Sequence, residues 1–174
     1  MKRICDFFCN FRNLGLLVAA ASAGALIFAW TMQYGFNYQP CQLCFMQRKP
    51  YMVAVGFGLL AALLFRKAPR AAFVTLIFAA LCFMVDMGVA AFHFGTEQGW
   101  WPLQEGCGGG QTLPPLDTSI EDLMKMYEER PIVRCDVPGW VFLGLSMTGW
   151  NFLYASGLAA FTLFHAIMGR KNVG

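Results

Sequence analysis

Cys41-Gln42-Leu43-Cys44 places two thiols in a C-x-x-C spacing. That spacing goes with lowered thiol pKa and dithiol–disulfide exchange, because the thiolate is the attacking species and a helix start or a nearby cation favours it. Arg48 follows Cys44 by one helical turn, so in a helix its guanidinium lies on the same face. Cys107 and Cys135 form a second, widely spaced pair, and Cys107 is followed by Gly108-Gly109-Gly110, which leaves its sulfur easy to approach. His93 is of the one side-chain type that ordinarily exchanges protons near neutral pH. These residues point to redox work on thiols. A structural bridge and a zinc site are the plainer alternatives, but zinc sites repeat close-spaced pairs and the second pair here is wide, so no metal is expected.

The elements that must position these groups are apolar. The chain is 57% hydrophobic and 13% charged, against about 25% charged in soluble domains. Four long apolar stretches divide it: Leu14 to Met32, Tyr51 to Phe65, Ala71 to Phe92 (broken by Asp86) and Val141 to Met168. A spanning helix needs roughly 20 apolar residues for a core of about 30 Å. The second stretch is short, so its helix must begin before Tyr51, among residues 45–50. Lipid offers backbone groups no partners, so each stretch is expected to be helical. The expected fold is an all-α membrane protein: one integral membrane domain over residues 1–174, a four-transmembrane-helix bundle with spans near 14–34, 46–65, 71–92 and 143–168. Pro50 leaves two readings open. It sits early in the second helix, with the C-x-x-C in a turn just before it, or it kinks a helix that began sooner. The small residues Ala19 to Gly24 resemble a signal-peptide cleavage site, yet the apolar run continues to Trp30, so an uncleaved first span is expected.

Charge sets the orientation. Lys2, Arg3, Arg12, Arg66, Lys67, Arg70, Arg170 and Lys171 fall on one side of a four-span chain, which should be cytoplasmic with both termini. The opposite side receives loops near 35–45 and 93–142, with most of the acids. The basic excess is therefore topological and implies no nucleic acid partner. Cys41, Cys44, Cys107 and Cys135 all fall on the outer side, where disulfides persist; of three possible pairings, pairing within each loop is the simplest. In the long loop, Thr118-Ser119-Ile120-Glu121 reads as a capping box, and Ile120, Leu123, Met124 and Tyr127 follow at helical spacing. A short amphipathic helix lying on the membrane surface is expected there. Asp86 can share a helix face with His93, which suggests a proton path between them. Cys82 reads as a packing residue, Cys5 and Cys9 as an inner pair without a metal, Trp100, Trp101 and Trp140 as interfacial anchors, and Ala20 and Gly24 as close-packing positions.

Pro40-Cys41-Gln42-Leu43-Cys44 with Gln47-Arg48, and Cys135-Asp136 followed by Trp140 to Ser146 and Trp150-Asn151, resemble the signatures of the disulfide bond formation protein B family, DsbB. The resemblance covers nearly the whole chain. It implies a quinone-dependent thiol:disulfide oxidoreductase of the bacterial inner membrane that reoxidises a periplasmic thioredoxin-like protein of the DsbA type. It implies that Cys107 forms the mixed disulfide with that partner and Cys135 pairs with Cys107. Cys41 would exchange with the loop pair, and Cys44 would be the thiolate that meets the quinone. Arg48 would stabilise that thiolate, and His93 would lie near the bound ubiquinone or menaquinone. A relative dedicated to one partner and a tetraspan scaffold with purely structural disulfides are the rival expectations.

Overall fold

The computed structural model describes residues 7–101, 119–122, 124 and 133–171. Four long helices follow one another: α1 (Phe11–Trp30), α2 (Gln42–Leu64), α3 (Pro69–Glu97) and α4 (Met147–Lys171). α1 with its continuation, α3 and α4 are long and apolar enough to cross a membrane. Neighbours in sequence are neighbours in space, whereas α1 and α4 touch sparsely. That gap becomes the site.

The ends of the helices show why the chain folds this way. Asn10 caps α1 by accepting from the Arg12 N–H at 3.0 Å. α1 runs on into a π-helical turn, Thr31–Gly35, a geometry found mostly at functional sites. α2 begins at Gln42, earlier than the expected range, because the Cys41 sulfur itself caps it by accepting the Cys44 N–H at 3.3 Å. Pro50 therefore lies inside the helix, and the C-x-x-C motif forms its first turn rather than a preceding loop. Pro69 opens α3, a position where its missing N–H costs nothing.

The fourth apolar stretch does not start as helix. Val141–Phe142 (β1) and Leu145–Ser146 (β2) pair antiparallel around Leu143 and Gly144, both at positive φ. Two such residues suit a tight hairpin turn. Ser146 then caps α4, accepting the Gly149 N–H at 3.2 Å. In the long loop, residues 120–122 and 124 are helical, and the cap is Ser119, whose hydroxyl accepts the Asp122 N–H at 3.2 Å and donates to its carboxylate at 2.8 Å. Ser119 thus caps this turn; Thr118, which opens the expected capping box, and Leu123 and Tyr127 lie outside the residues described in full.

The interior is built from small residues, including Ala54, Ala61, Ala72, Ala79, Ala90 and Ala155, filled in by Leu14, Val18, Leu76 and Phe83. The outward faces carry Ile27, Leu59, Leu63, Phe78, Val85, Leu153 and Ile167. Close packing of small residues inside and a belt of large apolar ones outside suits lipid as the solvent. The close approach of α1 to α2 is not at Gly24, which has open space beside it, but at Gly15 and Gly58. A Cβ on Gly15 would lie 2.5 Å from the Gly58 carbonyl oxygen, and one on Gly58 would lie 2.7 Å from that of Gly15. Cys82 packs against this core, as expected. Cys9, buried just before α1, lies 3.8 Å from His165 Nδ1.

Candidate functional site

The C-x-x-C pair lies at the start of α2, with Cys41 buried and Cys44 partly open. Their sulfurs are 2.8 Å apart. Both thiols lie at the polar start of α2, ahead of Arg48 and Lys49. The hydrogen bond between them sets their acidities apart. Cys41 is pushed up to about 12, first by that bond and then by burial, with His93 opposing. Cys44 is lowered, first by the bond from Cys41, then by a backbone N–H and the Arg48 charge, against burial and the nearby Cys135. Cys44 is thus the more acidic thiol of the pair, and Cys41 the one that keeps its proton longer.

Arg48 is brought to the site but does not bond to a sulfur. Its guanidinium donates to Gln33 Oε1 at 2.5 Å and to the Ala29 carbonyl at 3.4 Å. It also lies 5.2 Å from the Phe45 ring. The π turn supplies Gln33, so the irregular end of α1 holds the buried cation in place. Its help to Cys44 comes through the field and ranks behind the Cys41 bond.

His93, near the outer end of α3, is 2% exposed. Its Nε2 is 3.5 Å from the Cys41 sulfur. Its Nδ1 faces Gln47 at 3.3 Å and the Thr148 hydroxyl at 3.4 Å. Glu97, one turn further, accepts from the hydroxyls of Thr148, at 2.8 Å, and Ser146. Trp101 fixes this end of α3. Its ring stacks on Phe92 at 5.4 Å, its N–H donates to the Phe92 carbonyl at 3.0 Å, and it occupies the space a side chain at Gly95 would need. Trp101 is therefore a structural brace more than a membrane anchor. Trp100 is 65% exposed, as an anchor would be.

Cys135 is fully buried in one cluster with Cys41 and Leu43, against Cys44, Phe92 and Val133. The loop turns it inward through an exposed Arg134–Asp136 ion pair. The structure thus brings Cys135 to the first pair; Cys107 lies outside the described residues.

A cavity of about 510 Å³ lies between α1, α2 and α4. Cys44, Arg48 and His93 line its outer end, Leu26, Ala29 and Met32 its α1 wall, and Tyr51, Asn151 and Tyr154 its inner end. Trp140, expected as an anchor, lines it too and stacks on Phe142 at 5.5 Å. At the inner end Tyr51 donates to Asn151 Oδ1 at 2.8 Å, and Asn151 Nδ2 donates to Asp86 at 2.9 Å. Asp86 is therefore tied across to α4, with no hydrogen bond to His93 among the described residues.

With this geometry in view, the comparisons with known proteins are decisive. The family described as "Disulfide bond formation protein DsbB" matches residues 11–165. The chain belongs to the DsbB family. Relatives called "Disulfide bond formation protein B" are 32% identical in Xanthomonas euvesicatoria over 94% of each chain. One from Hahella chejuensis is 27% identical over 88% of this chain and 92% of its own length. No solved structure matches the chain significantly. DsbB membership implies a membrane protein with disulfide-forming oxidoreductase activity.

Sequence reasoning named the thiols, Arg48 and His93 but missed Gln33, Tyr51, Glu97 and Thr148. Glu97 carried a usable signal: a carboxylate one turn after His93 on an apolar helix. Gln33 carried none, since its role depends on the π turn.

Proposed function

We propose that this protein is a quinone-coupled thiol oxidase of the bacterial inner membrane, with four spanning helices and both termini cytoplasmic. In this reading it reoxidises a periplasmic thioredoxin-like protein of the DsbA type through Cys107 and Cys135, then Cys41 and Cys44. α2 joins the three longer apolar helices as a span: its charges, Arg48 and Lys49, lie in its first turns, and Leu59, Leu60 and Leu63 face outward beyond them.

One observation carries the reading. The lowered thiol, Cys44, shares the wall of an apolar cavity with a buried cation and a histidine, while its partner Cys41 lies in one buried cluster with the cysteine of the other loop. The volume lies within the range of about 300–1,000 Å³ that holds small ligands, with few polar groups in an apolar lining. These residues fit a quinone ring, and Cys44, Arg48 and His93 would hold it; ubiquinone and menaquinone both meet that description. Net, a partner dithiol becomes a disulfide and a quinone becomes a quinol, with two electrons and two protons passing between them. Cys107 takes the partner's attack and Cys135 leaves as a thiolate. Cys135 attacks the Cys41–Cys44 disulfide at Cys41, so that Cys44 is released as the thiolate in the cavity.

The test uses detergent-purified protein, a reduced periplasmic thioredoxin-like protein and a soluble quinone followed by absorbance. Wild type consumes quinone; Cys44→Ser and Cys107→Ser do not. No consumption with either ubiquinone or menaquinone analogues would return the protein to a scaffold with structural disulfides. Loss in Cys44→Ser alone would mean that the partner attacks the C-x-x-C pair directly.

A further inference from the structure

The chain of contacts from Glu97 to Cys41 fixes which nitrogen of His93 carries hydrogen. A hydroxyl has one hydrogen to give. Thr148 gives its hydrogen to Glu97 Oε1, at 2.8 Å. Toward His93 Nδ1, at 3.4 Å, the same oxygen can then only accept. Nδ1 must therefore bear the hydrogen, and Nε2 is left with its lone pair. Gln47 fits the same tautomer once its amide is turned so that oxygen, not nitrogen, faces Nδ1, a choice that coordinates leave to the hydrogen-bond network. The bare Nε2 faces the Cys41 sulfur at 3.5 Å.

Glu97 is itself held. Both its oxygens accept from hydroxyls in the first turn of α4, those of Ser146 and Thr148, and its side chain is 4% exposed. It also lies 4.0 Å from His93 Nε2, near enough to stabilise an imidazolium once one forms.

We propose that Glu97 and Thr148 are positioning residues that set His93 as the general base for the Cys41 thiol. This rests on the reading that the Cys41–Cys44 pair cycles between dithiol and disulfide. When the pair closes, the Cys41 S–H bond breaks and its proton passes to His93 Nε2. The bond between the two sulfurs forms, and two electrons leave to the quinone of that reading. The arrangement has the logic of a nucleophile, a base and a carboxylate that orients the base, with a threonine hydroxyl interposed.

The chain has two histidines, so selective ¹⁵N-histidine labelling gives a spectrum that a His165→Asn variant assigns. Reduced wild-type protein at neutral pH should show a pyridine-type Nε2 and a protonated Nδ1 for His93. Thr148→Val, close in shape, should lose that preference. It should also slow closure of the Cys41–Cys44 disulfide by about 10–100-fold, within what a misplaced base costs. Thr148→Ser should restore both, and Glu97→Leu should behave as Thr148→Val does. Closure is followed with a soluble quinone and, in parallel, with diamide, an oxidant of thiols that is not a quinone. A wild type that closes with diamide and not with quinone would overturn the quinone reading, while the diamide rates would still judge the base. A protonated Nε2 in wild type, or wild-type tautomer and rate in Thr148→Val, would overturn the inference itself.

Discussion

Cys135 and Cys41 share one buried cluster, 0% and 4% exposed, although one precedes β1 and the other precedes α2. Both sulfurs are enclosed together, away from a partner protein's reach. Under the proposed relay, this cluster is where electrons would cross from the long loop to the C-x-x-C pair. In a Cys44→Ser/Cys107→Ser variant, mild oxidation with copper phenanthroline should link Cys41 to Cys135, seen as a cross-linked peptide by mass spectrometry without reductant. If the cross-link fails to form while Cys41 still reacts after unfolding, the loop does not deliver Cys135 in solution as it does here.

The two thiols of the C-x-x-C motif should titrate far apart. Cys44 is lowered and Cys41 is raised to about 12, against about 8.5 for a free cysteine. Alkylation requires the thiolate. In the reduced protein, the iodoacetamide rate of Cys44 should level off at a lower pH than that of a free cysteine and fall as pH drops through its depressed pKa. Cys41 should still be gaining rate at the highest pH tested. The bond from Cys41 is the first cause of the lowering, so Cys41→Ala should move the Cys44 profile back up. Coincident profiles for the two cysteines would dismiss the assignment.

Gly15 and Gly58 should be intolerant of any side chain. Each would drive a Cβ into the other's backbone, which cannot swing aside as a side chain can. Overpacking typically costs about 1–3 kcal/mol, and rigid backbone contacts belong at the upper end. Gly58→Val should lower the unfolding midpoint in detergent clearly more than Gly56→Val, since Gly56 has open space around it. Equal midpoints would mean that α1 and α2 do not pack this closely.

Much of this was legible in the sequence, for physical reasons that can be traced. Long apolar runs can only be helices in lipid, so the four helices could be placed from hydropathy alone. The C-x-x-C motif and Arg48 announced themselves by type and spacing. The start of α2 was misplaced because hydropathy falls off at Gln47, Arg48 and Lys49, whereas the helix is set by a thiol cap at Cys41. The hairpin at residues 141–146 was hidden within an apolar run that reads as helix until Leu143 and Gly144 take positive φ. Glu97, Thr148 and Asn151 act through partners on another helix, and such pairings appear only when the helices are packed.

Asp86 tests the difference between a proton path and a structural tie. Its carboxylate is fully buried and accepts from Asn151 at 2.9 Å, while Asn151 accepts from Tyr51 at 2.8 Å. The three join α3, α4 and α2 beneath the cavity. Removing the amide leaves both neighbours without it in a region where water is scarce, and a buried polar group left without its partner costs about 1–3 kcal/mol. Asn151→Leu should therefore lower the unfolding midpoint in detergent, as should Asp86→Leu. Asp86→Asn keeps an oxygen that can accept from Asn151, so it should cost much less. It should also leave quinone turnover unchanged across pH, because Asp86 makes no hydrogen bond to His93 among the described residues. A turnover loss in Asp86→Asn that grows toward alkaline pH, with the midpoint unchanged, would reinstate a proton role for this carboxylate.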